Sequence, residues 1–193
     1  MRPIATLLIA CTFLFYSCQK DETDDNAIKS QAEYFPNSLG SYWKYQRQDH
    51  LTDTYDTISV TIIGDTMVAN EDYSVWEYDY GTRIDSAIFY RSDFNFMDKL
   101  YVMPFELGLE WKTTPFAPDT SYVSAIETLL IVGNTYEDVA KIERSTWGFN
   151  YSLEESHWIK PGIGLAKYQI HRINLGAQID ETWELIDFHI QSP

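Results

Sequence analysis

The 193-residue chain reads as an all-β fold, an antiparallel meander of about ten strands forming a barrel or a two-layer sandwich. Three observations lead there. Apolar and polar side chains alternate with a period of two in run after run. Turn residues punctuate the runs about every 10–14 residues, too closely for helical crossovers. The runs are rich in Thr, Tyr, Val, Ile and Trp, which fit a pleated surface.

Ordered structure is expected to begin at Tyr34-Phe35-Pro36-Asn37-Ser38-Leu39-Gly40, a turn-rich entry with an aromatic anchor. Next, Ile58, Val60 and Ile62 alternate with Thr57, Ser59 and Thr61, as a half-buried strand does. Trp76, Tyr78 and Tyr80 alternate with Glu77 and Asp79, so their rings share a face that is most simply the core. Ser121–Ile131 has helix-tolerant residues, but β-branched Val123, Ile126, Ile131 and Val132 and the following Gly133 favour a strand. Ala140 and Ile142 alternate with Lys141 and Glu143. Turns are expected at Gly64-Asp65, Asn70-Glu71-Asp72, Gly81-Thr82, Gly133-Asn134, Gly148-Phe149-Asn150 and Pro161-Gly162-Ile163-Gly164. The run Thr182–Ile190 carries large apolar side chains on both faces. It should therefore be buried on both faces or bent by a bulge, pairing with an existing edge to finish the sheet. Only Ala27–Tyr34 offers a turn or two of helix.

A weak repeat recurs at an offset of 68 to 69 residues. Gly40-Ser41-Tyr42-Trp43-Lys44 matches Gly108-Leu109-Glu110-Trp111-Lys112, and Ile63-Gly64-Asp65-Thr66 matches Val132-Gly133-Asn134-Thr135. Phe89-Tyr90-Arg91 falls opposite Trp158-Ile159-Lys160. The matches suggest an internal duplication of a four- or five-stranded unit, with copies near residues 35–105 and 106–175 and Thr182–Ile190 outside both; coincidence among β-rich segments is the alternative.

The N-terminal segment has a different character. Arg2 precedes an apolar run from Ile4 to Phe15 of about 12 residues, well short of the roughly 20 that a membrane-spanning helix needs. Ser17 and Cys18 follow, and then Gln19-Lys20-Asp21-Glu22-Thr23-Asp24-Asp25-Asn26. Phe15-Tyr16-Ser17-Cys18 resembles the lipobox of bacterial lipoproteins, with Phe15 where leucine is usual. The resemblance implies a signal peptide over residues 1–17, cleavage before Cys18, and attachment of a diacylglycerol to the Cys18 thiol, a lipid anchor with chains such as palmitate. Residues 18–33, with five acidic side chains from Asp21 to Glu33, then form a flexible tether, and residues 34–193 a single β domain. Gln19-Lys20-Asp21-Glu22 resembles the export signal of surface-exposed lipoproteins in the Bacteroidota, which implies an outer-membrane address. A passive acidic spacer is the alternative. The start Tyr34-Phe35-Pro36…Gly40-Ser41-Tyr42-Trp43-Lys44-Tyr45, with Gly162-Ile163-Gly164-Leu165-Ala166-Lys167-Tyr168, resembles a recurrent class of uncharacterised Bacteroidota lipoproteins. That class supplies no catalytic residues to carry over.

Charge narrows the partners. The formal net charge is −15, and losing Arg2 with residues 1–17 makes it one unit more negative. Lys and Arg are scattered singly, so no nucleic-acid partner is expected. Cys11 departs with the signal peptide and Cys18 is acylated, which leaves no thiol for a disulfide. The domain must be held by packing, and 10 Phe, 14 Tyr and 6 Trp make that feasible.

No constellation announces chemistry. His50, His157, His171 and His189 lack metal-ligand spacing, although His157 and His171 could meet across a ladder. They are read as surface or satisfied core residues. Asp93-Phe94-Asn95-Phe96-Met97-Asp98 alternates oxygen ligands as calcium loops do, but lacks the turn glycine and the bidentate Glu. Asp53 with Asp56, Asp79 with Asp85 and Glu154 with Glu155 are carboxylate pairs on paper, read as solvated surface. Trp43, Trp76, Trp111, Trp147, Trp158 and Trp183 are read mainly as core, with a sugar-stacking groove as the alternative. No catalytic residue, metal site or cofactor is expected. The expectation is a non-enzymatic outer-membrane lipoprotein anchored through Cys18 that binds a ligand or partner, a glycan or an envelope protein. A structural or assembly subunit is the alternative, and a glycan hydrolase the less favoured one.

Overall fold

The computed structural model describes residues 35–191, apart from 69, 78–79, 86–87, 93–96 and 114–118. The expected signal peptide, Cys18 and the tether lie outside the described residues, as do Tyr34, Tyr78, Asp79 and the segment Asp93–Phe96.

Twelve strands form, against the ten or so expected. They are β1 (Tyr42–Asp49), β2 (Thr54–Val68), β3 (Glu71–Trp76), β4 (Tyr80–Asp85), β5 (Ile88–Ser92), β6 (Met97–Val102), β7 (Glu110–Lys112), β8 (Thr120–Ile131), β9 (Asn134–Gly148), β10 (Tyr151–Lys160), β11 (Gly164–Asn174) and β12 (Ala177–His189). All pairings are antiparallel, in one sheet of order β6-β5-β4-β3-β2-β1-β12-β11-β10-β9-β8-β7. The described residues contain no helix. The sheet curls into a nearly closed barrel. Its two edge strands approach where Lys99 N, on β6, donates to Thr113 O, just beyond β7, at 2.8 Å.

The sheet is thus two six-stranded meanders joined along β1 and β12, so each half is larger than the four- or five-stranded unit expected, and the terminal run is the sixth strand of the second half rather than a strand outside both copies. Both halves have the same strand order, and Trp43 and Trp111 are each the second residue of their half's first strand. The other two repeat matches fail. Gly133 (φ 82°) forms the β8–β9 turn with Val132, whereas Gly64 lies inside β2, beside a bulge where the register shifts between Ile62 and Gly64. Phe89 is on the fifth strand of its half, Trp158 on the fourth. The Gly81-Thr82 turn is also corrected. Both residues belong to β4, with Gly81 paired to Val75 and Ser92. Glycine inside a strand can mark a bulge or a close approach instead of a turn.

The terminal run behaves as its pattern requires. β12 lies mid-sheet between β1 and β11, and Lys44 faces Asp187 while Tyr45 faces Leu185, so Ile186 is bulged out. Leu185 is fully buried. Burial follows the alternation elsewhere. Val60, Ile62, Trp76, Ala140 and Ile142 point inward, and Glu77 is exposed.

The interior holds two apolar clusters. One gathers Trp43, Tyr45, Val60, Ile62, Trp76 and Leu185. The other includes Phe35, Phe89, Tyr101, Met103, Phe105 and Trp111. The two sequence motifs at the ends of the domain meet here. Trp43 Nε1 donates to Ile163 O at 2.6 Å and Tyr45 Oη to Leu165 O at 2.9 Å. Phe35 closes over Gly164, where a Cβ would lie 3.5 Å from its ring and where φ is +93°. Glycine suits that position on both counts.

Candidate functional site

Between the clusters lies a partly open cavity of about 430 Å³. Its lining follows β11 from Gly164 to Ile170 and β12 from Trp183 back to Ile179, so it runs along the strands towards the β11–β12 hairpin. Most of the wall is apolar, with Phe35, Trp43, Trp76 and Phe89 contributing rings. Phe35 stacks on Tyr101 at 4.9 Å, and Trp43 on Trp76 at 5.1 Å.

One side of the wall is polar, and strand pairing builds it. Arg144 on β9 faces Glu155 on β10, and His157 on β10 faces Tyr168 on β11. Glu155 and His157 are two apart, so both point inward. Arg144 bridges two carboxylates: Nη2 donates to Asp119 Oδ2 at 2.7 Å and Nη1 to Glu155 Oε2 at 3.4 Å. Tyr168 Oη donates to Glu155 Oε1 at 2.7 Å. Tyr101 Oη lies 2.5 Å from His157 Nδ1. The His157 ring stands edge-on to Tyr168, 4.9 Å between centroids, and Tyr168 edge-on to Trp183 at 5.5 Å.

Burial sets the ionisation here. It pushes the His157 imidazole down to about 4; Glu155 opposes the shift, and Arg144 and Arg91 add to it. His157 is therefore neutral at neutral pH. Burial and the neighbouring Glu155 raise Tyr168, which keeps its proton. Burial alone would raise Asp119, but the hydrogen bond and charge of Arg144 outweigh it and hold the carboxyl below its ordinary range. Arg144 is raised because Asp119 and Glu155 outweigh its own desolvation.

The sequence-derived candidates fall mostly elsewhere. His157 and His171 do not meet: His171 pairs with Glu154 on the ladder and lies 3.5 Å from Asp180. His50 Nε2 contacts Thr182 Oγ1 at 2.8 Å, and His189 stacks on Tyr42. The described residues contain no cluster of three or more His, Cys, Asp or Glu able to hold a metal. Asp56 pairs with Arg47, and Asp53 accepts from Gln48. Glu154 and Glu155 split, the first exposed and the second in the cavity. Trp43, Trp76, Trp111 and Trp158 are core, whereas Trp147 is 65% exposed. Arg144, Tyr168 and Tyr101 were not singled out from the sequence. Period-two alternation around buried Ile142 does place Arg144 on the inner face, and that is the signal that could have found it.

A second feature lies at the strand ends. The β9–β10 and β11–β12 hairpin tips are tied together where Leu175 N donates to Asn150 O at 3.0 Å. They expose Trp147, Phe149, Ile173 and Leu175, with Phe149 95% exposed. Residues 145–152 and 173–179 contain no charged side chain, in a chain of net charge −15.

No protein-family model matches the chain, and no curated protein matches it. Among solved structures, a "putative lipoprotein" of Parabacteroides distasonis ATCC 8503 aligns with a TM-score of 0.48 at 11% identity, over 81% of this chain and 98% of that one. A "putative exported protein with YmcC-like fold" of Bacteroides fragilis NCTC 9343 aligns with the same score at 12% identity, over the same shares.

Proposed function

We propose that this protein is a non-catalytic, lipid-anchored binding module of the outer membrane, tethered through Cys18 and holding a small, largely apolar ligand inside its barrel. The observation that carries the binding reading is the 430 Å³ cavity, lined by aromatic and aliphatic side chains with a few convergent polar groups. Small-molecule sites take that form, at about 300–1,000 Å³. The polar wall favours binding over hydrolysis. Asp119 and Glu155 are both bonded to Arg144, and Asp119 is held ionised, so it is unsuited to act as a general acid.

Tryptophan fluorescence tests the cavity, since Trp43, Trp76 and Trp183 line it. Titrating the full chain with Nile red should give saturable binding, and Ile170→Trp, which fills the cavity, should weaken it at least ten-fold. Absence of saturable binding, or indifference to Ile170→Trp, rejects the reading. The anchor is tested separately. A fatty-acid probe should label the wild type in cells and not Cys18→Ser; equal labelling rejects it.

The paired hairpin tips favour a second reading, a subunit that docks on another envelope protein through Trp147, Phe149, Ile173 and Leu175. Exposed apolar patches of this kind mark interaction sites. Phe149→Ser with Leu175→Ser should abolish co-purification of a stoichiometric envelope partner. Unchanged co-purification rejects this face as the contact.

A further inference from the structure

Resting on the lipid-anchored reading, we infer that the β9–β10 and β11–β12 hairpin tips are a membrane-contact surface, seated in the headgroup layer of the bilayer that carries the anchor. Strand register makes the tips one continuous patch. Trp147 pairs with Ser152, Ser152 with Ile173 and Ile173 with Gln178, so Trp147 and Ile173 flank a small serine on one sheet face. Phe149 and Leu175 lie beyond them at the turns, which the bond from Leu175 N to Asn150 O joins. All four apolar side chains are exposed.

A row of ionisable side chains bounds the patch. Glu154 pairs with His171, and His171 with Asp180, two residues farther from the tips than the Ser152 row. Three residues separate Asn150 from Glu154, which at roughly 3.3 Å per residue leaves an uncharged band about 10 Å deep. Interfacial elements sink their apolar side chains about 5–10 Å into a bilayer, and Trp is favoured at that level. The opposite end of the barrel differs. Its Val132-Gly133 turn exposes Leu130 and Val132, but Glu127, Glu137 and Asp138 are exposed on the same two strands.

Anchor and cavity both fit the bilayer as occupant. Phe35 packs on Gly164, at the far end of β11 from the tips and about 33 Å from Asn174 at roughly 3.3 Å per residue. Cys18 precedes Phe35 by 17 residues, a length of chain that spans up to about 60 Å. An anchor at Cys18 therefore leaves the tips free to reach the same bilayer. The cavity lining is buried at Phe35, Trp43 and Trp76, whereas Ile170, Ile179 and Glu181, nearer the tips, are half-buried. Seated tips thus bring the more open end of the cavity towards lipid, a ready source of an apolar ligand. A second protein fits the tips less well. Four apolar side chains at two turns offer much less than the roughly 800 Å² that a standard protein interface takes from each partner. With a net charge of −15, the chain meets zwitterionic headgroups without the repulsion that anionic ones impose.

Tryptophan quenching tests this, with the acylated chain reconstituted into phosphatidylcholine vesicles that contain phosphatidylcholine brominated close to the headgroup. Trp147 is exposed, and Trp43, Trp76, Trp111 and Trp158 are buried. The brominated lipid should quench the wild type, and Trp147→Phe should lower that quenching roughly two-fold or more. Phe149→Ser with Leu175→Asn should lower it as far while leaving the melting temperature unchanged, because asparagine suits the φ of 49° at position 175 better than leucine does. Quenching that survives either variant, or vesicle-bound protein that is not quenched at all, overturns the inference and leaves the tips to a protein partner. Protein that does not float with the vesicles overturns the anchor reading, and the inference with it.

Discussion

The two walls of the cavity were built by different means. The apolar wall comes from residues whose burial stabilises the fold directly. Trp43 is 2% exposed and Phe89 3%, and each large apolar side chain buried contributes about 1.5–3 kcal/mol. The polar wall buries Arg144, Asp119, Glu155 and His157, whose desolvation opposes folding and is only offset by the bonds of Arg144 to the two carboxylates and of Tyr101 to His157. A barrel of this size could have filled that side with leucine and valine. That it carries polar and charged groups instead separates what holds the barrel together from what lines its cavity.

Three substitutions sharpen that contrast, beginning with the largest effect. Trp43→Ala should cost about 5 kcal/mol, since it removes a buried ring, its stack on Trp76 and its bond to Ile163. Denaturant melts measure it, and a cost under about 1 kcal/mol would mean that the apolar wall is not structural. Arg144→Leu should cost about 3–4 kcal/mol, because it strands Asp119 and Glu155 without their cation. If the double change Arg144→Leu with Asp119→Leu is as unstable as the single one, the stranded-charge explanation fails.

The third concerns pH. The folded state holds the His157 pKa near 4, below the unfolded value of 6.5, so the unfolded chain binds the extra proton first. The contribution is fully present above about pH 6.5 and is lost as the pH falls towards 4, by about 3 kcal/mol in total. His157→Phe should flatten the stability profile in that window. Parallel profiles for the two proteins would show that His157 is not held neutral.

The apolar wall was legible in the sequence and the polar wall was not, for a physical reason. Alternation around Ile62, Trp76 and Ile142 is a local signal, and it places each ring on the inner face. The Asp119–Arg144–Glu155–Tyr168 set comes from three strands and a loop residue. Nothing in the local pattern distinguishes an inward Arg144 from the many solvated charges of an acidic chain. Strand number was underestimated because β7 has only three residues and β3 to β6 five or six each. Gly64 and Gly81 read as turns because glycine signals both turns and strand irregularities, and only pairing tells them apart. The motifs around Phe35–Tyr45 and Gly162–Tyr168 were visible as strings. Their contact across the barrel, Phe35 on Gly164 and Trp43 on Ile163, was not.

The seam between β1 and β12 sets a clock on the making of the barrel. Tyr42–Asp49 can find its second neighbour only when Glu181–His189 exists, well over a hundred residues later. Until then the first meander is an open ribbon, with β1 presenting unpaired backbone groups along one side. Closing so long a loop adds entropic cost and slows folding. An open β edge also invites pairing with other chains. A nascent chain stalled before β11 and β12 is thus at its most aggregation-prone, and β12 is the strand that covers the open side of β1.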